Sequence, residues 1–115
     1  MRVLVTGGRD FNDQALVVST LDGLHAKTPI TSLIHGGAQG ADRLADAWAT
    51  ERGSTVEQFK PNWKLHGRGA GLANNKAMLE AAPDVLIAFP GGKGTADMVH
   101  KAQAAGLPVI QAKQT

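Results

Sequence analysis

Val85-Leu86-Ile87-Ala88-Phe89-Pro90-Gly91-Gly92-Lys93-Gly94-Thr95 decides the architecture of this chain. Five apolar residues in a row, cut off by a proline, are too few for a helix and read as a strand buried on both faces. A glycine-rich turn follows at once. Thr95 is placed to cap a helix running to about Ala105, where Gly106 stops it. A doubly buried strand that leads through a tight turn into a helix is one unit of a parallel sheet.

The same rhythm continues outward in both directions. Arg2–Val5 is a short apolar run, and Asn12 is placed to cap a helix to about Ala26, with Leu16, Val17, Leu21 and Leu24 at helical spacing. Pro29 ends that element. Thr31–Ile34 is a second strand, followed by a helix from Gly40 to Arg52 with Ala41, Leu44, Ala45 and Trp48 on one stripe. The stripe makes Trp48 a core residue. Thr55–Phe59 alternates and reads as a less buried third strand. Pro61–Gly69 is a polar, cationic loop, Ala70–Ala82 a helix halted by Pro83, and Pro108–Gln111 a final strand. Five strands alternating with four helices predict a Rossmann-like α/β fold. Its parallel, doubly wound sheet has the order 3-2-1-4-5, with helices on both faces of one domain over residues 1–115.

Composition narrows the function classes. There is no cysteine among the 115 residues, which removes disulfide frameworks, cysteine zinc sites and thiol catalysis. No metal-ligand spacing joins the four histidines, so no metal is expected. The first apolar run is too short for a secretory signal or a membrane span, so a cytoplasmic location is the default and no membrane partner is expected. A net charge of +2 suits an anionic ligand but is weak for a dedicated nucleic-acid binder.

Glycine carries more information. Its clusters occupy one structural place, strand end to helix start. They are Gly7-Gly8-Arg9-Asp10-Phe11, His35-Gly36-Gly37-Ala38-Gln39-Gly40-Ala41-Asp42, and Pro90-Gly91-Gly92-Lys93-Gly94-Thr95. A helix start offers unpaired amides and a positive dipole end, which suit phosphate or carboxylate. In the order 3-2-1-4-5 these turns lie side by side across the switch point, where open α/β sheets bind ligands. Tight turns alone would explain any one cluster but do not need so many polar side chains. None matches Gly-x4-Gly-Lys-Ser/Thr or Gly-x-Gly-x-x-Gly, which disfavours phosphate-loop hydrolysis and standard dinucleotide redox chemistry.

Individual side chains then take roles. Arg9 and Lys93 are placed to neutralise phosphate. Asp10 and Asp42 suit ribose hydroxyls, although Asp42 equally suits the start of its own helix. His35 is either a ligand donor or a satisfied core residue. In Asn62–Gly71, Trp63 can stack on a base while Arg68 reaches a phosphate, or Trp63 packs over the sheet. Asn74 and Asn75 open the third helix, where amides read a base edge or turn the chain.

The order of GGRDF, HGGAQGADRLA, NW…GRGAG…NN and FPGGKGTADMV resembles the YspA-type, cpYpsA-related branch of the SLOG superfamily, from Val3 to about Ile110. That superfamily includes the Lonely Guy phosphoribohydrolases and the DNA-processing protein DprA. The resemblance implies a Rossmann-like fold that binds a nucleotide or nucleotide-derived compound of ADP-ribose, NAD or nucleoside phosphate type. No cofactor is required, and a role as sensor, carrier or sequestering protein, or in phage and bacterial conflict, follows from it. Relatives commonly form homodimers. Lonely Guy enzymes carry a catalytic glutamate where this chain has Met98, and their arginine falls at Asn75. A hydrolase that cleaves an N-glycosidic bond would instead draw on Asp10, Asp42 or Asp97. Single-stranded nucleic-acid binding, by analogy with DprA, would need Trp63, Lys60, Lys64 and Arg68 on one surface.

Overall fold

The computed structural model describes residues 1–113. Strands β1 (Arg2–Thr6), β2 (Ser32–His35), β3 (Thr55–Gln58), β4 (Val85–Ala88) and β5 (Val109–Gln111) form one sheet in the order β3-β2-β1-β4-β5. Every pairing is parallel, with Leu4 opposite both Ile34 and Leu86 at the centre. The fold and strand order are those expected from the alternation of elements. Parallel strands cannot be joined by tight hairpins, so each crossover carries a helix to one face or the other.

Helices α1 (Gln14–Lys27) and α2 (Ala41–Arg52) cover one face, and α4 (Ala70–Glu80) and α5 (Lys93–Ala104) the other. On the first face Val3, Val5, Ile87 and Phe89 pack against Val17, Leu21, Ala45 and Trp48. On the second, Leu4, Ile34 and Leu86 meet Met78, Met98 and Ala102. Residues of one strand thus serve both cores in alternation. Trp48 is buried as its stripe predicts, with its indole N–H donating to Asp22 at 2.8 Å.

Three boundaries differ from the sequence reading. Asp13, not Asn12, caps α1: its carboxylate accepts from the Leu16 amide at 3.0 Å. Helix α5 starts at Lys93, so Thr95 lies within its first turn instead of capping it. The segment read as an open loop folds into a short helix, α3 (Trp63–His66), and a 3-10 turn at Gly67–Gly69. Asn62 explains that helix, because its side chain accepts from the Leu65 amide at 3.0 Å and starts a turn. Among the described residues no helix is long and apolar enough to cross a membrane.

Candidate functional site

The three glycine-rich turns meet at the C-terminal edge of the sheet. The Gly8 amide donates to the Pro90 carbonyl at 2.9 Å, which ties the turn after β1 to the turn after β4. The Gly8 carbonyl accepts from Phe11 at 3.2 Å and from Ala41 at 3.3 Å, which ties in the start of α2. Glycine at two positions is what permits this closeness. Gly40 has φ of 78°, and a β-carbon there would run into the Gly8 and Arg9 carbonyls. At Gly91 it would meet the Thr95 hydroxyl and the Gly8 amide. These glycines let backbone approach backbone.

The strand end of the second turn is satisfied from within. Asp42 is buried, and one of its oxygens accepts from Gly36 at 3.1 Å and Ala38 at 3.2 Å. The Gly37 amide donates to His35 Nδ1 at 2.9 Å. His35, only 2% exposed, therefore carries its proton on Nε2 and gives it to Asp46 at 2.6 Å. Of the two readings open for His35, the satisfied core residue is the one observed. Asp42 likewise holds the turn that leads into its own helix. Burial pushes its carboxyl above the usual range, against the pull of the two amides.

The third turn is different. The amides of Lys93, Gly94 and Thr95, in the first turn of α5, have no acceptor among the described residues. Pro90, Gly91, Gly92 and Lys93 are exposed, as are Arg9, Asp10 and Gln39 on the neighbouring turns. Orphan amides, the helix dipole and the exposed cations Arg9 and Lys93 make this turn a candidate anion site. The Asp42 and Arg43 amides at the start of α2 also lack an acceptor among the described residues, but the buried Asp42 carboxyl sits beside them. Phe11 is drawn inside, 9% exposed, with its ring 5.5 Å from that of Phe89. It anchors its turn from below.

The asparagines lie in the middle of α4, not at its start. Asn74 donates to the Phe59 carbonyl at 2.6 Å and holds the end of β3. Asn75 donates to the Gly94 carbonyl at 3.1 Å and to Asp97 at 3.0 Å, clamping α5 to α4 beside the open turn. Asp97 also accepts from Lys101 at 2.8 Å. Met98 is fully buried in the core. Trp63, by contrast, is 62% exposed, and no hydrogen bond among the described residues ties Trp63 or Arg68 to any of the turns. Asp46 escaped the sequence reading, although its place four residues after Asp42 puts both carboxylates on one helix face.

Asp97 yields a test of the clamp. Burial raises its carboxyl, but the Lys101 ammonium and the Asn75 amide outweigh this and hold it below its ordinary value of 3.8. A depressed folded-state value contributes stability above the unfolded value, and that contribution is lost as pH falls through the folded one. Asp97→Asn is therefore expected to cost about 1 kcal/mol at neutral pH, a modest figure because the pair is partly solvated. Urea titrations should show the difference shrinking in acid. An equal deficit at every pH would mean that the ion pair contributes nothing.

Comparison with known proteins bears on the whole chain. A family model described as the YspA, cpYpsA-related SLOG family matches residues 1–66. The Gene 61 protein of Mycobacterium phage D29 is 42% identical over 117 residues, an alignment that covers 95% of this chain and 94% of that protein.

Proposed function

The chain belongs to the YspA, cpYpsA-related SLOG family, and from that membership we propose that it binds a nucleotide or nucleotide-derived phosphate compound at the third turn. The observation that carries the reading is the open first turn of α5, whose three orphan amides sit beside exposed Lys93. Arg9, on the turn fastened to Pro90, supplies the second cation. In this reading a phosphate takes the amides as backbone donors and the two side chains as counter-charges.

Binding is favoured over turnover because two of the three candidate carboxylates already serve the fold. Asp42 satisfies the second turn and Asp97 the α4–α5 clamp. A role as sensor, carrier or sequestering protein for a nucleotide signal fits this arrangement, and similarity to a phage protein fits a part in phage and bacterial conflict.

A thermal-shift screen against nucleoside mono- and diphosphates, NAD and ADP-ribose tests the reading, since a ligand of the folded state raises its stability. Lys93→Ala and Arg9→Ala are each expected to weaken the best binder by about 1.5–3 kcal/mol, roughly 10- to 150-fold. Both lie in exposed turns, so the melting temperature without ligand should hardly move. Normal affinity in both variants would remove the phosphate from this turn. Mass spectrometry of the same mixtures separates binding from hydrolysis, because catalytic depletion of any compound would replace the binder with an enzyme.

A further inference from the structure

Between the outer side of α5 and the end of β5 lies an open cleft of about 470 Å³. That is within the roughly 300–1,000 Å³ typical of small-molecule sites. Ala88, Ala96 and Val99 give it apolar walls. Gln103, Gln111, His100 and Lys113 add polar groups, and no acidic residue lines it among the described residues. One end is formed by Gly91, Gly92 and Thr95, so the cleft opens directly off the turn with the orphan amides. It lies on the side of α5 turned away from Asp97 and Lys101, which face α4.

From this continuity we infer that the cleft receives the nucleobase of a nucleoside phosphate whose phosphate rests on the first turn of α5. The inference depends on the phosphate reading proposed above and adds where the rest of the ligand lies. A base has two apolar faces and an edge of donors and acceptors. The cleft offers apolar walls for the faces and two carboxamides, each with a donor and an acceptor, for the edge. Neither Gln103 nor Gln111 has a side-chain partner among the described residues. Lys113 suits a polyanion. The Trp63 ring, for which the sequence left base stacking and packing over the sheet both open, has no such link to the turn.

Isothermal titration with the four nucleoside 5′-monophosphates and with ribose 5-phosphate separates the two claims. Ala96→Phe fills the cleft from an exposed helical position, and the pair Gln103→Ala with Gln111→Ala strips its polar edge. Each variant is expected to weaken the preferred mononucleotide by about tenfold or more and to leave ribose 5-phosphate unchanged. Unchanged mononucleotide affinity in both variants overturns the cleft while the phosphate site stands. Absence of any binding by the parent protein overturns both. Should Ala96→Phe weaken both ligands, the turn itself has been disturbed, and the glutamine pair decides by the same comparison.

Discussion

The Gly40→Val variant is expected to be about 3–5 kcal/mol less stable than the parent protein, read as a lower urea midpoint. Two costs combine. At φ of 78° and ψ of −126° the backbone occupies a region that side chains with a β-carbon rarely enter. The added atoms would also meet the Gly8 and Arg9 carbonyls, which are backbone groups and cannot rotate aside. Moving them would break the bonds from Ala41 and Phe11 to Gly8 and release the first turn from the second. Gly53→Ala is the control, since Gly53 has nearly the same φ with nothing near its β-position. It should lose only about 1 kcal/mol. Equal losses at the two positions would show that the turns do not touch in solution.

Asp42→Ala comes next in size, at about 2–4 kcal/mol, because it strands the half-buried Gly36 and Ala38 amides and empties the space of a buried side chain. Asp42→Asn should behave quite differently. It keeps a carbonyl oxygen for the two amides and removes a buried charge. Burial raises the folded-state value of Asp42 above 3.8. A raised value contributes stability that is fully present below the unfolded value and is lost as pH rises through the folded one. Ionised Asp42 is therefore a cost near neutrality. Asp42→Asn is expected to be at least as stable as the parent protein there and to lack the decline in stability that the parent shows as pH rises above the ordinary carboxylate range. If Asn proves as damaging as Ala, the turn needs the charge and not merely an acceptor.

Strand order and the convergence of the turns were legible in the sequence because both follow from period and punctuation. Apolar runs such as Val85–Phe89 have one sensible reading, and glycine at each strand end marks where the chain must turn. What each turn does with its amides was not legible. His35-Gly36-Gly37 and Pro90-Gly91-Gly92 look alike as strings. Only in three dimensions does Asp42 fold back to fill the first and leave the second open. Phe11 misled for a related reason: a phenylalanine beside Gly8-Arg9-Asp10 looks available to a ligand, yet hydrophobic burial draws its ring onto Phe89. The short helix at Trp63 depends on a single asparagine cap, a signal too local to stand out in a polar stretch. Asp97 was readable as a candidate carboxylate, but its clamp through Asn75 joins residues 22 apart in sequence.

Amide NMR of the labelled protein, titrated with inorganic pyrophosphate, puts the phosphate reading to its most direct test. Pyrophosphate has no base and no ribose, so only the anion-receptive surface can respond. The resonances of Lys93, Gly94 and Thr95 should move together and saturate, while those of Gly36 and Ala38, already donating to Asp42, stay in place. Saturable shifts confined to the second turn, or none at any of the turns, would contradict it.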